Sequence, residues 1–94
     1  MSRLSISRQA RQDLKEIFSF IARDKPIAAR RLRLALEGVF AALARNPAMG
    51  ELRPDLGHDR RVFSFGSYVV FFRKTGARVV IARVVHGARD INGL

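Results

Sequence analysis

The sequence predicts a two-layer α+β fold in which an N-terminal strand and an α-helical hairpin precede a three-stranded antiparallel meander, in the order β-α-α-β-β-β. Two stretches with apolar residues at helical spacing occupy the first half of the chain. Three runs of β-forming residues, separated by two-residue turns, occupy the second half. Because helices and strands are segregated, the helices are expected to cover one face of the sheet. The 94 residues suffice for one domain, which we expect to span residues 1–94.

The first predicted elements are a short strand and a helix of about four turns. Leu4 and Ile6 alternate with polar residues, which favours an edge strand. Ser7 is predicted to cap the helix, since its hydroxyl can accept a hydrogen bond from a free amide of the first turn. The helix is expected over residues 8–23. Its core-facing stripe consists of Ala10, Leu14, Ile17, Phe18 and Ile21.

A second helix is predicted from the Asp24-Lys25-Pro26 segment to about Arg45. Proline is tolerated in a first turn, Asp24 can cap it, and Asn46-Pro47 ends the helix. The short connection makes the two helices an antiparallel hairpin. The stripe of the second helix consists of Ala28, Leu32, Ala35, Leu36, Val39, Phe40 and Leu43. Outside both stripes lie Phe20, Ile27 and Leu34, which are expected to leave apolar surface uncovered.

The second half begins with a loop over residues 47–59, which is rich in proline, glycine and charge. Strands are predicted over Arg61–Phe65, Tyr68–Lys74 and Ala77–His86. The separators Gly66-Ser67 and Thr75-Gly76 suit tight hairpin turns. On the last strand, Val80, Ala82 and Val84 alternate with Val79, Ile81, Arg83 and Val85, so both faces are apolar. One face is expected to meet the helices, and the other can accept a partner.

The strongest compositional signal is a formal net charge of +10, carried by 15 Arg and 3 Lys against 8 acidic residues. Arginine suits two-point contacts with carboxylates and phosphates. We therefore expect an acidic partner, either a nucleic acid or an acidic protein. The chain has no cysteine, no apolar core of a signal peptide and no apolar run of the roughly twenty residues that span a bilayer. These features predict a cytoplasmic protein with no membrane partner.

Several kinds of catalytic or cofactor site lack a sequence signal. The two histidines are far apart and have no cysteine or suitably spaced carboxylate beside them, so no metal site is predicted. His58 lies in a charged loop and is expected to be exposed. No glycine-rich phosphate loop is present, and no serine is flanked by glycines as in a nucleophile elbow. Accordingly, no cofactor is predicted.

The most distinctive segment runs from Arg83 to Asp90 and reads Arg-Val-Val-His-Gly-Ala-Arg-Asp. Its basic side chains could contact phosphate, and His86 is of the residue type that titrates near neutral pH. The predicted target-binding residues are Arg60, Arg61, Arg73, Arg83, His86 and Arg89. A purely structural interpretation is also open, in which His86 bonds a carbonyl and Arg83 pairs with Asp90 or another carboxylate.

Six segments in this order resemble the ParE branch of the ParE/RelE toxins of bacterial type II toxin–antitoxin modules. They are residues 4–7, 10–17 (Ala-Arg-Gln-Asp-Leu-Lys-Glu-Ile), 44–50 (Ala-Arg-Asn-Pro-Ala-Met-Gly), 53–56 (Arg-Pro-Asp-Leu), 68–73 (Tyr-Val-Val-Phe-Phe-Arg) and 83–90. The resemblance implies the predicted fold, with the N-terminal strand at the edge of the meander. It also implies a toxin that poisons DNA gyrase and is neutralised by an antitoxin that wraps around it.

These implications give a first functional hypothesis, in which the protein acts on gyrase by binding and not by turnover. A cognate acidic, ParD-like antitoxin is the expected partner, and contact with DNA is possible for a protein of this charge. The residues expected to bind the antitoxin are Phe20, Ile27, Arg30, Arg31 and Leu34, because an amphipathic helix can lie on apolar residues flanked by arginine.

The alternative is a ribosome-dependent mRNA endonuclease of the RelE type, whose catalytic residues would be Arg61, Arg73, Arg83 and His86. The chain departs from those nucleases in two places. Val69 follows Tyr68 where they usually carry arginine, and the C-terminal segment has no tyrosine. A general nucleic-acid-binding module is a third hypothesis. It is disfavoured because six of the seven Phe fall in apolar stripes or strands, so that no exposed aromatic residues for base stacking are expected near the arginine clusters.

Overall fold

The α+β prediction is confirmed by a computed structural model, which describes residues 3–87. The chain forms β1 (Leu4–Ile6), α1 (Arg8–Ala22), α2 (Pro26–Arg45), β2 (Glu51–Leu52), β3 (Arg60–Phe65), β4 (Tyr68–Thr75) and β5 (Arg78–His86). Short 3₁₀ helices at Pro47–Met49 and Pro54–Leu56 flank β2. The sheet has five strands in the order β1-β5-β4-β3-β2. It therefore contains one strand, β2, in a segment for which the sequence predicts a loop.

The N-terminal strand extends the meander as predicted. β1 runs parallel to β5, with Leu4 opposite Val79 and Ile6 opposite Ile81. Ser7 then caps α1, because its hydroxyl accepts a hydrogen bond from the Ala10 amide at 3.0 Å. The same hydroxyl donates to the carbonyl of Ala82 at 2.9 Å. The helix start is thereby fixed to β5.

The start and the rotation of α2 differ from the prediction. Lys25, not Asp24, is the N-cap residue, and its side chain makes no capping bond. Asp24 is instead part of the turn that closes α1, since its amide donates to the Ile21 carbonyl. Ala28 and Ala35, predicted in the core stripe, are exposed, whereas Ala29 is buried. The helix is rotated so that positions 29, 36 and 43 face the sheet.

The core lies between the helical hairpin and one face of the sheet. Its buried members are Ala10, Leu36, Phe40, Leu43, Val70, Phe72, Val79, Ile81 and Val84. Leu14, Ile17 and Phe18 of α1 pack against this cluster while remaining partly exposed. None of the helices in the described part of the chain is long and apolar enough to cross a membrane.

Both hairpin turns begin with a glycine at positive φ, Gly66 at 58° and Gly76 at 59°. Glycine adopts this conformation without the steric cost that other residues incur. The first turn is Gly66-Ser67, as predicted. The second is Gly76-Ala77, because β4 continues to Thr75, which pairs with Arg78. The Thr75-Gly76 turn predicted from the sequence is therefore wrong by one residue.

A β-bulge interrupts the pairing of β4 with β5. Phe72 lies opposite Ile81, but Phe71 lies opposite Arg83, so that Ala82 is an extra residue on β5. A bulge shifts the alternation of side chains between the two faces. Val79 and Ile81 face the core before it, and Val84 faces the core after it. The strict alternation predicted for β5, which placed Val84 on the face opposite Ile81, is wrong for this reason.

Candidate functional site

Arg83 lies directly after the bulge and is held by a carboxylate of helix α1. Its Nε and one Nη donate to the two oxygens of Asp13 at 2.7 and 2.9 Å. The Val84 amide donates to the same carboxylate at 3.0 Å. β1 pairs with β5 only as far as Ile81, so Asp13 supplies the acceptor that a longer strand would have provided. The Asp13 side chain is largely buried, at 12% exposed.

A cleft of about 200 Å³ opens beside Arg83. Its walls combine arginine side chains with aromatic and aliphatic ones, and they consist of Leu56, Arg60, Arg61, Phe71, Phe72, Ala82 and Arg83. Among these residues are three guanidinium groups and no carboxylate. Such a lining favours an anionic group with an adjoining apolar or planar part.

The register of the sheet adds a fourth arginine to this region. Arg60 on β3 lies directly opposite Arg73 on β4, and cross-strand partners share a face of the sheet. Like charges in this position repel each other. An anion bound between them would relieve that repulsion. Arg61 is fixed differently, because one of its Nη atoms donates to the Gly50 carbonyl at 3.0 Å.

His86 lies apart from this cleft. It pairs with Tyr68 across the β4–β5 ladder, and the two rings meet edge to face with centroids 5.5 Å apart. Tyr68 packs against the core, whereas Arg83 pairs with Phe71, three residues along β4. The buried Nδ1 atom of His86 has no hydrogen-bond partner among residues 3–87. Among these residues, this atom does not form the bond to a carbonyl that the structural interpretation of His86 proposed.

The structure brings together some of the residues selected from the sequence and separates others. Arg60, Arg61 and Arg83 line one cleft and Arg73 lies opposite Arg60 beside it, whereas His86 is not among the residues that line the cleft. Arg89 and Asp90 lie outside the described residues. The predicted alternative role of Arg83, pairing with a carboxylate, is met by Asp13.

Sequence reasoning did not select Asp13, nor the apolar lining residues Leu56, Phe71, Phe72 and Ala82. Asp13 carried one weak signal, since it and Glu16 are the only carboxylates of α1 and Asp13 precedes a residue of the apolar stripe. Leu56 carried none, because its place in the cleft wall depends on the 3₁₀ turn Pro54–Leu56. That turn follows Arg53, whose guanidinium binds Asp55 through two hydrogen bonds. The hydrogen bonds from Arg53 lower the pKa of the Asp55 carboxyl.

A second candidate surface lies on the helical hairpin. We define the hairpin surface as Phe20, Ile27, Arg30, Arg31 and Leu34. All five are exposed, with Phe20, Ile27 and Leu34 at 66, 68 and 60%. Positions 27, 30, 31 and 34 follow the i, i+3, i+4, i+7 pattern of one helix face. That face points away from the buried residues of α2, and no ion pair found within residues 3–87 involves Arg30 or Arg31.

Within residues 3–87, no three His, Asp or Glu side chains are grouped so that they could hold a metal ion. His58 is exposed as predicted, with 96% of its side chain accessible, and its Nε2 lies 3.2 Å from an Asp59 oxygen. The described surface thus offers two candidate sites, the arginine cleft and the hairpin surface.

Comparison with known proteins places the chain in a family. Residues 4–91 match the family model of the ParE toxin of the type II toxin–antitoxin system parDE. The chain is 29% identical over 92 residues to Toxin ParE3 of Caulobacter vibrioides, covering 97% of this chain and 92% of that protein. Its fold is similar to a chain of the chromosomal ParDE system from P. aeruginosa, with a TM-score of 0.76, 21% identity and coverage of 92% and 96%. It is also similar to a chain of the RelBE2 toxin–antitoxin complex from Mycobacterium tuberculosis, with a TM-score of 0.64, 28% identity and coverage of 88% and 87%.

Proposed function

The chain belongs to the ParE toxin family of type II toxin–antitoxin systems, and from this membership we propose that it inhibits DNA gyrase by binding and is neutralised by a cognate, ParD-like antitoxin. The observation that carries a binding mechanism is that His86 is not among the residues that line the arginine cleft and pairs instead with Tyr68, three residues along β4 from Phe71 of the cleft wall. A general acid or base must lie within hydrogen-bond reach of the proton it transfers. A group bound in the arginine cleft would be out of reach of His86, whereas binding to a target requires no such group.

The arginine cleft is the part of the surface that we assign to the target. Three of the residues that line it are arginines, and one of them, Arg60, lies opposite Arg73 on the neighbouring strand. This arrangement suits a carboxylate cluster of a protein or the phosphates of DNA held by gyrase. Both kinds of group are bound by arginine through charge-assisted hydrogen bonds.

The hairpin surface is assigned to the antitoxin. It combines exposed aromatic and aliphatic side chains with Arg30 and Arg31 on a rigid helix. A segment that folds as an amphipathic helix can bury the apolar residues and place acidic side chains beside the arginines. The net charge of +10 further favours an acidic partner.

The alternative function is cleavage of mRNA on the ribosome, as in the RelE branch. The arginine cleft favours it, because three guanidinium groups also suit the phosphates of an RNA backbone. In that case the reaction would need a proton-transfer group other than His86, which does not line the cleft. The two functions therefore differ in their dependence on titrating side chains.

Two assays on the purified protein separate these functions. In the first, gyrase relaxes or supercoils a plasmid and cleaved DNA is trapped with detergent. In the second, ribosomes translate a defined mRNA whose ends are mapped by primer extension. We expect cleaved DNA to accumulate and the mRNA to remain intact. The double variant Arg60→Ala/Arg73→Ala should lose the effect on gyrase, whereas Arg11→Ala/Arg23→Ala, which removes equal charge from exposed positions of the helical hairpin, should retain it. Codon-spaced mRNA cuts with unaffected gyrase would overturn the proposal.

A further inference from the structure

Gly38 occupies an interior position of α2 that nothing within the described protein requires to be glycine. A β-carbon built at this position meets no atom within 4 Å. Glycine in a helix interior is destabilising relative to alanine, because it loses more backbone freedom on folding. Packing within residues 3–87 therefore does not explain why this position is glycine. A glycine that lowers helix stability without an internal contact points to a contact outside the chain.

Gly38 continues the exposed apolar face of the same helix. It lies one turn beyond Leu34, which lies two turns beyond Ile27. At 100° per residue, all three point away from the side on which Leu36 and Phe40 are buried. With Arg31 and Ala41 they form a seam, which we define as positions 27, 31, 34, 38 and 41. The alternating spacing of four and three residues is that of a helix that packs lengthwise against another helix.

We propose that this seam binds a helix of the antitoxin that crosses α2 at Gly38, where the missing side chain lets the two backbones approach closely. Ile27 and Leu34 would lie on the apolar stripe of that helix, toward the turn of the hairpin. Small residues permit such close helix–helix contacts. A partner helix would also bury the side chains of Ile27 and Leu34, which are 68% and 60% exposed. The proposal rests on the proposed neutralisation by an antitoxin and adds the position and the closeness of the contact.

The charged residues of α2 indicate which kind of partner the seam can bind. Its exposed charged residues are four arginines, at positions 30, 31, 33 and 45, and one glutamate, at position 37. An acidic helix on the seam would be attracted by these arginines. A second copy of this chain would bring the same arginines together, along with two net charges of +10. The seam therefore fits an acidic partner helix and disfavours self-association.

Substitution of Gly38 tests the proposal, because the stability of the free protein should rise while its affinity for the antitoxin falls. Gly38→Ala and Gly38→Leu should each raise the thermal midpoint of the free protein by a few degrees, since both residues have higher helix propensity than glycine. Gly38→Leu should at the same time weaken binding of the antitoxin, taken as the acidic protein encoded beside the toxin gene, by at least tenfold, with a smaller loss for Gly38→Ala. Affinities would be measured by calorimetry with toxin refolded from the purified complex.

The matched control is Ala28→Leu, which places the same side chain on the exposed flank of α2, ten residues or about 15 Å away along the helix axis. It should change the affinity less than threefold. Equal affinity of wild type and Gly38→Leu would overturn the close contact at Gly38 and leave neutralisation standing. Failure of the wild type to bind the neighbouring protein would overturn the proposed neutralisation and this inference together. Sedimentation showing a dimer that Gly38→Leu abolishes would assign the seam to a second copy instead.

Discussion

Asp13 and Arg83, 70 residues apart in the chain, are joined by a two-point ion pair that ties helix α1 to the bulge of β5. The pair gives Arg83 a fixed position in the cleft wall and offsets part of its charge. The uncompensated positive charge of the cleft wall therefore lies mainly on Arg60 and Arg61, neither of which forms an ion pair within the described residues. Arg83 thus both ties α1 to β5 and forms part of the cleft wall.

Removal of the Asp13 carboxylate is expected to destabilise the protein. Asp13→Ala leaves the Val84 amide without its acceptor and breaks the pair with Arg83, for an expected loss of about 1–3 kcal/mol in the free energy of unfolding. Asp13→Asn keeps an oxygen for the amide and should lose less. Urea denaturation measures both. Glu16→Ala is the control, since this exposed carboxylate of α1 bonds only Gln12 among the contacts described and should change stability by under about 0.5 kcal/mol.

The opposed arginines of the cleft region should show a trade-off between stability and target binding. Arg73→Ala removes the repulsion from Arg60 and is expected to raise the free energy of unfolding by a few tenths to about 1 kcal/mol. The same variant should inhibit gyrase less than the wild type does. Thermal denaturation and supercoiling assays test the two effects. A variant that is both less stable and fully inhibitory would contradict this role of the pair.

Two leucines of α2 provide a matched test of which face packs in the core. Leu36 is 1% exposed and Leu34 is 60% exposed. Leu36→Ala should therefore cost about 2–5 kcal/mol of unfolding free energy, because it creates a cavity. Leu34→Ala should cost little but weaken antitoxin binding. Denaturation curves and calorimetry on both variants distinguish these outcomes, and similar losses of stability would show that the faces are misassigned.

His86 is expected to be dispensable for toxicity. His86→Phe keeps an aromatic ring against Tyr68 and removes the buried nitrogen that lacks a partner among residues 3–87. The free energy of unfolding should stay equal or rise by about 1 kcal/mol, since an unsatisfied buried polar atom is costly. Growth inhibition should persist. His58→Phe, at a fully solvated position, is the control for ring substitution. Loss of toxicity in a stable His86→Phe protein would favour the nuclease.

The Arg53–Asp55 pair should be visible in a pH titration. The hydrogen bonds and charge of Arg53 lower the Asp55 pKa in the folded protein from its ordinary value near 3.8. A lowered folded pKa means that the contribution to stability is present above the unfolded value and is lost as pH falls through the folded value. Arg53→Ala should raise the Asp55 titration midpoint in a carboxyl-detected NMR experiment. High salt should reduce the difference in the Asp55 titration midpoint between the wild type and Arg53→Ala, because the ion pair is exposed and salt screens it.

The helices and the main strands could be predicted because their signals are local. Ser7, Pro26 and Asn46-Pro47 mark helix ends through the chemistry of the residues themselves. β2 could not be predicted, since two residues, Glu51 and Leu52, are too few to show a periodicity. The rotation of α2 about its axis could not be predicted, because alanines lie both on its core side and on its flank. The apolar pattern therefore does not determine which of them faces the sheet.

The site could be predicted less fully than the fold. The arginines were found from composition, but Asp13 meets Arg83 only through the tertiary fold. The bulge at Ala82 was hidden because β5 is apolar on both faces, and an extra residue there does not alter the pattern. As a result, the sequence grouped Arg83 and His86 by their proximity along the chain, whereas of the two only Arg83 lines the cleft.

The parallel pairing of β1 with β5 also determines the order in which this protein can fold. Leu4 lies opposite Val79, so the edge of the sheet closes only when most of the chain is available. The helical hairpin and the β3–β5 meander depend on contacts between sequence neighbours and can form sooner. Closing so long a loop adds an entropic cost to the last step. During synthesis, the helices therefore emerge from the ribosome well before the strand that completes the toxin. The exposed face of the helical hairpin is thus available before the sheet that holds the arginine cleft is complete.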